Sequence, residues 1–167
     1  MDSEIRKIMR QITRERMYAL WGQAKEKDLE GLEDEDLRIA KIMVEHKGEF
    51  YNQFEFADLT YDHEYDADNE YDPFLHITIH SLVEYQLEQK NPIEAVQFYN
   101  AMRQKKYSHH DAIHLVGQIL IYLIFDVMQY KRPFDLVTYQ KLLKKYKTRN
   151  PQKFSNLLEN EPLLSDA

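Results

Sequence analysis

Apolar side chains recur along this sequence at the spacing of an α-helix. The clearest run is Ile39, Met43, His46, Phe50 and Phe54, which fall at i, i+4, i+7, i+11 and i+15 on one continuous face. Glycine occurs 4 times and proline 5 times in 167 residues, which leaves few of the turns that a β-sheet needs. The sequence therefore predicts an all-α fold, a single-domain up-and-down bundle of five to six helices.

We expect helices over about residues 3–26, 35–54, 73–90, 92–104, 109–130 and 135–147. Asp72, Asn91 and Ser108 are the predicted N-caps of the third, fourth and fifth helices, because their side chains accept hydrogen bonds from a first helical turn. The fifth helix is apolar nearly all round after Gly117, so it is expected to be the most buried. Residues 1–150 would form the bundle domain, and residues 151–167 a C-terminal tail that either docks a short helix or is partly mobile.

Charge and composition narrow the classes of partner. The net charge of −7 and the scattered basic residues, apart from "KLLKKYKTR", argue against a nucleic-acid partner. The absence of cysteine excludes disulfides and thiolate metal sites. The longest apolar run, "ILIYLIF", is too short to cross a bilayer, so we expect a cytoplasmic protein without a membrane partner. The sequence is compatible with a homo-oligomer or with a protein partner. It does not identify a small-molecule substrate.

Histidines form two HxxxH pairs, His76 and His80 on the third predicted helix and His110 and His114 on the fifth. Two histidines four residues apart on a helix have Cβ atoms about 6 Å apart on one face, so both rings can reach one ion. Because one short helix separates them, the two long helices can run parallel with both pairs at one end of the bundle. His46 on the antiparallel second helix is expected at the same end.

Each buried imidazole that lacks a polar partner would cost about 1–3 kcal/mol. A divalent metal ion, iron or zinc, would satisfy these rings, since imidazole suits both. The predicted metal ligands are His46, His76, His80, His110, His114 and Glu49, which lies one turn from His46. Such a site could serve a metal-dependent oxidoreductase or hydrolase, but no catalytic residue can be named and the sequence leaves open whether the protein is an enzyme.

Two other interpretations stay open. A buried network of His, Tyr, Glu, Gln and trapped water would satisfy the rings without metal, as in a non-catalytic structural or protein-interaction module. An anion at the paired helix starts also competes, because His110 lies in a first turn, where the helix dipole favours negative charge. A carboxylate-bridged diiron site would require an acidic residue at the position of Gln118. The neutral amide at this position favours a histidine-rich mononuclear site instead.

Several segments resemble a known family. "DPFLHITIHSLVEYQ" resembles the "NPFLHLSMH" signature of the bacterial domain of unknown function 1841, and "HHDAIHLVGQIL" resembles its second histidine segment. "RPFDLVTYQKLL" is similar to its closing "PPDG..YL" helix. "WGQAKEKDLEGLEDEDLRIAKIMVEHKGEFY" is similar to its opening, which ends in a histidine near "HPEY". The resemblance spans roughly residues 16–146 and implies a small helical bacterial protein without an assigned activity.

Position by position, the resemblance extends to five histidines, which are His46, His76, His80, His110 and His114. Gln118 and Tyr85 stand where the resemblance implies glutamates, and "KG" follows the first histidine where a proline is expected. If those carboxylates act in relatives, this chain has an altered site.

Overall fold

The computed structural model describes residues 3–66 and 69–161, and every regular element within them is a helix. The elements in chain order are α1 (Ser3–Glu26), α2 (Asp34–Glu45), α3 (Lys47–Glu55), α4 (Pro73–Gln89), α5 (Ile93–Gln104), α6 (His109–Tyr130), α7 (Leu136–Tyr146), a 3₁₀ turn (Pro151–Lys153) and α8 (Phe154–Glu159). The predicted all-α fold is confirmed, and the described residues hold more helices than the five to six expected.

The chain divides into two compact units, the first from Met1 to Ser81 and the second from Leu82 to Ala167. α1, α2 and α3 belong to the first unit and α5, α6, α7 and α8 to the second, and the division falls within α4. The predicted separation of a bundle domain (1–150) from a tail (151–167) stays a prediction. Residues 162–167 of that tail lie outside the described residues.

In the first unit α1 packs on α2 and α3. The buried core there is formed by Met17, Leu20, Trp21, Ala24, Ile39, Ala40, Ile42, Met43, Phe50, Phe54, Ala57, Phe74 and Ile77. The indole Nε1 of Trp21 donates to Glu55 Oε2 at 2.6 Å, and Lys25 Nζ donates to Glu55 Oε1 at 3.1 Å. Because a buried indole N–H needs an acceptor, Glu55 makes the burial of Trp21 favourable and ties α1 to α3.

The predicted helix over residues 35–54 is interrupted at His46, where α2 ends and α3 follows. The His46 backbone departs from helical geometry (φ −97°, ψ 10°). Its ring Nδ1 donates to the Ile42 carbonyl oxygen at 2.9 Å, the same oxygen that its backbone N–H reaches at 3.0 Å. Side-chain donors that compete for a helical carbonyl favour a helix end, and Gly48 adds a residue of low helix propensity. The predicted face is buried despite the break, at Ile39, Met43, His46, Phe50 and Phe54.

In the second unit α5, α6 and α7 pack against one another, and α8 lies on α6. The fully buried Tyr139 donates its hydroxyl to Gln86 Oε1 at 2.7 Å. Phe154, which opens α8, contacts Phe98 and Tyr146 with ring centroids 5.8 and 5.2 Å apart. The start of α8 is therefore part of the core of this unit.

Two of the predicted N-caps are confirmed. Asp72 Oδ1 accepts from the backbone N–H groups of Phe74 and Leu75, at 2.9 and 3.0 Å. Ser108 Oγ accepts from the Asp111 N–H at 3.0 Å and begins α6. These contacts satisfy donors that would otherwise lack partners at each helix start.

One expectation about the second unit is wrong. Asn91 is not a cap, because the extended Pro92 (ψ 150°) holds the cap position and α5 begins at Ile93. α6 is buried at several positions between Ala112 and Leu123, whereas Met128 and Tyr130 in its last turn are exposed. That α6 is the most buried helix stays a prediction.

The length and composition of α6 would allow it to cross a membrane, and 44% of its apolar window is buried within the protein. The core helix of a globular protein meets the same criteria, so this helix alone is weak evidence. The expected cytoplasmic location and the expected absence of a membrane partner stay predictions.

Candidate metal centre

His46, His76 and His80 lie together in the first unit and are called the histidine triad below. One ring nitrogen of each lies within 4.8 Å of the others. The ring of His46 stands nearly perpendicular to those of His76 (68°) and His80 (84°), with centroids 4.7 and 5.3 Å away. His46 and His80 are each only 2% exposed, and His76 is half-buried. Three imidazoles from two segments therefore point into one small volume.

The spacing of these nitrogens is close to that of ligands on one metal ion. The Nε2 atoms of His46 and His76 are 2.9 Å apart. Nitrogens that bind one zinc ion at about 2.0–2.1 Å with tetrahedral angles lie about 3.3 Å from one another. The observed contact between His46 and His76 is about 0.4 Å shorter than that value, and the ligand nitrogens of the triad all lie within 4.8 Å of one another.

Backbone structure on both sides orients the triad. The hydrogen bond from His46 Nδ1 to the Ile42 carbonyl requires the proton on Nδ1, because a carbonyl oxygen only accepts. The lone pair of the neutral His46 ring is therefore on Nε2, which faces His76. On α4, the Asp72 cap fixes the helix start, and with it the level of His76 and His80 one and two turns later.

Tyr71 covers the outer side of the triad. Its hydroxyl is hydrogen-bonded to His76 Nδ1, and its ring stacks on Phe50 with centroids 5.7 Å apart. Burial of the hydroxyl raises the pKa of Tyr71, and the nearby Glu49 carboxylate raises it further. The phenol is thus neutral at physiological pH and able to donate or accept a hydrogen bond.

The segment that carries Tyr71 is held to α1 by two arginines. Arg14, only 3% exposed, donates to the carbonyl oxygens of Thr60 and His63, at 3.2 and 3.3 Å. Its guanidinium lies 4.1 Å above the ring of Phe74, and burial lowers its pKa. Arg10 Nε donates to the Tyr61 carbonyl oxygen at 2.8 Å. These contacts anchor the chain between α3 and α4 before it reaches Tyr71.

The two candidate carboxylates occupy different places. Glu49, the predicted ligand, is exposed on α3, and the described residues do not bring it into the triad. Glu45 approaches instead, with its Oε2 4.0 Å from His80 Nε2.

His110 and His114 lie on α6 in the second unit, half-buried, with ring centroids 4.0 Å apart. The predicted pairing of these two rings on one helix face is therefore present. Gln118, one turn further, donates to Ser155 Oγ at 2.7 Å. The expectation that this pair shares an ion with the α4 histidines stays a prediction.

The two remaining histidines lie on the surface. His63 is in the chain between α3 and α4, with its Nε2 3.1 Å from Glu70 Oε2. His109 begins α6, with its Nδ1 2.7 Å from the Tyr99 hydroxyl and its Nε2 3.7 Å from Glu84 Oε1. His63 therefore offers a matched control for substitutions in the triad.

Sequence reasoning missed two partners of the triad, the Tyr71 hydroxyl and the Ile42 carbonyl. Tyr71 stands immediately before the Asp72 cap and five residues before His76, so its place beside that helix start was the available signal. The Ile42 carbonyl carried no signal, because its role depends on the helix break at His46.

Comparisons with known proteins identify a family for this chain but no activity. No curated protein and no solved structure matches the chain. The family model described as a domain of unknown function (DUF1841) matches residues 9–145, a range that includes every histidine discussed above. Because that match covers most of the sequence, the chain belongs to the DUF1841 family.

Proposed function

We propose that this protein binds a divalent metal ion through the histidine triad, His46, His76 and His80. The observation that carries the proposal is the convergence of three ring nitrogens within 4.8 Å, with His46 already held in the tautomer that a ligand needs. Metal-binding histidines characteristically donate a hydrogen bond from the N–H of their other ring nitrogen to a carbonyl or a similar acceptor, as His46 does to the Ile42 carbonyl oxygen.

Zinc and iron(II) are the ions that fit best. Both accept imidazole nitrogen, and the described residues bring no thiolate into the site because the chain has no cysteine. Three protein nitrogens leave at least one position open on a tetrahedral ion, which is the arrangement of catalytic rather than closed structural zinc sites. An open position would allow water activation or substrate binding, so a hydrolase or an oxidoreductase is the reaction class to test once an ion is found.

Metal analysis of protein purified without an affinity tag tests the proposal. The wild type should contain zinc or iron and should rebind either ion with a Kd of about 1 μM or below. His46→Ala and His76→Ala should each abolish binding, whereas His63→Ala should bind as the wild type does, because His63 lies outside the triad. His114→Ala tests whether the predicted second pair takes part. A wild type that contains no metal and binds both ions more weakly than about 1 μM would overturn the proposal.

A second candidate function is a non-catalytic helical module in which the same rings form a polar network. The observation that favours it is the continuous chain of hydrogen bonds from Tyr71 through His76 and His46 to the Ile42 carbonyl. This network predicts that His76→Ala lowers thermal stability while chelators leave the wild type unchanged. A loss of stability on chelation, reversed by added zinc, would exclude it.

A further inference from the structure

His46 and His76 differ in what sets their tautomers. His46 donates from Nδ1 to a carbonyl oxygen, which can only accept, so its neutral ring always has the lone pair on Nε2. His76 meets the Tyr71 hydroxyl at Nδ1, and a hydroxyl can either donate or accept. The tautomer of His76 is therefore set by what its Nε2 atom faces.

Without an ion, the hydrogen bonds among neutral rings have one consistent direction. His46 Nε2 can only accept, so His76 Nε2 must carry the proton and donate across the 2.9 Å contact. His76 Nδ1 is then unprotonated and accepts from the Tyr71 O–H. The chain runs from Tyr71 through His76 and His46 to the Ile42 carbonyl, with one donor and one acceptor at each step.

An ion in the triad requires the other tautomer of His76. For Nε2 of this ring to ligate, its proton must leave and Nδ1 must gain one, so that Nδ1–H now donates to the Tyr71 oxygen. Tyr71 keeps its own proton, because a hydroxyl oxygen can accept one hydrogen bond while its O–H turns away from the ring. Nε2 of His76 loses one proton and Nδ1 of the same ring gains one, so the change of tautomer releases no net proton.

We propose that Tyr71 is the positioning residue that lets His76 change tautomer between the metal-free and metal-bound states. This inference rests on the proposed function, because the second state exists only if an ion binds. A carboxylate in place of Tyr71 could only accept and would hold Nδ1–H permanently. Phenylalanine would keep the ring stacking on Phe50 but would remove the partner of Nδ1 in both states.

The variant Tyr71→Phe tests the inference against Tyr51→Phe as a matched control. Tyr51 is also partly exposed in the first unit and packs by its ring, with its centroid 5.3 Å from that of Trp21. Removal of an outer partner of a ligating histidine typically weakens metal affinity about 10- to 100-fold. We expect that loss of zinc affinity in Tyr71→Phe and wild-type affinity in Tyr51→Phe.

Nitrogen-15 NMR of the imidazole rings supplies a readout that a purely structural role would not change. In the metal-free wild type, His76 should be protonated at Nε2 and His46 at Nδ1. After zinc is added, the proton of His76 should be found at Nδ1 and that of His46 should not move. A metal-free His76 protonated at Nδ1 would overturn the inference, as would Tyr71→Phe binding zinc as tightly as the wild type.

Failure of the proposed function would be distinguishable from failure of this inference. A wild type that binds neither zinc nor iron(II) overturns both, because no second state is then formed. A wild type that binds zinc with His76 in the same tautomer throughout overturns only the role of Tyr71.

Discussion

At the scale of single residues, buried polar groups in this protein are matched with specific acceptors and donors. Glu55 receives the indole N–H of Trp21 and the ammonium of Lys25. The indole donor, followed by the Lys25 ammonium, holds the pKa of Glu55 below its usual range. In the triad, the Ile42 carbonyl oxygen is likewise a specific acceptor for His46, and it requires the proton of that ring to be on Nδ1.

Glu55 should make the stability of the first unit depend on pH. Because its folded pKa is lowered, its contribution is present above the unfolded value of about 4.3 and is lost as pH falls through the folded value. The urea midpoint of the wild type, followed by Trp21 fluorescence from pH 6 to pH 3, should therefore decrease. Glu55→Gln should decrease less steeply, and Glu15→Gln, on the exposed side of α1, should follow the wild type. Equal slopes for wild type and Glu55→Gln would contradict this assignment.

At the scale of elements, helix starts could be predicted from local sequence better than helix continuity. Asp72 and Ser108 are recognised from their side chains and spacing because a cap satisfies donors within one turn. The break between α2 and α3 escaped prediction because the face from Ile39 to Phe54 keeps its helical periodicity across it. The side-chain bond from His46 to Ile42 is visible only in three dimensions.

The Asp72 cap should contribute to the stability of α4 and to the placement of His76. Asp72→Ala removes the acceptor of two backbone N–H groups and should cost about 0.5–2 kcal/mol of unfolding free energy. Asp72→Asn should retain most of that stability, since asparagine caps helices about as well as aspartate. Urea unfolding of the two variants measures the difference. Equal losses in both would show that the carboxylate acts in some other way than as a cap.

At the scale of the whole molecule, the first of the two compact units can be followed on its own, because the single tryptophan of the chain lies in it. Trp21 is fully buried in the first unit, which also contains the histidine triad. Its fluorescence therefore reports the unfolding of the unit in which the metal is proposed to bind.

Zinc should stabilise the first unit in proportion to its affinity. At a free zinc concentration of 100 times the Kd, the free energy of unfolding should increase by about 2.7 kcal/mol. The shift is measured as the change in the urea midpoint of Trp21 fluorescence, and a chelator should reverse it. His63→Ala should show the full shift and His80→Ala none. A Trp21 transition that zinc does not move, at any concentration that leaves the protein in solution, would speak against a site in this unit.

The sequence by itself determined the helical class, two helix caps and the presence of histidine pairs, because these features depend on residues within one or two helical turns. The tertiary structure decided which of those histidines meet. It brought His46 against His76, placed Glu45 rather than Glu49 near His80, and put the Tyr71 hydroxyl on His76. These contacts join residues from separate elements, and their geometry depends on how the helices pack, which no local pattern encodes.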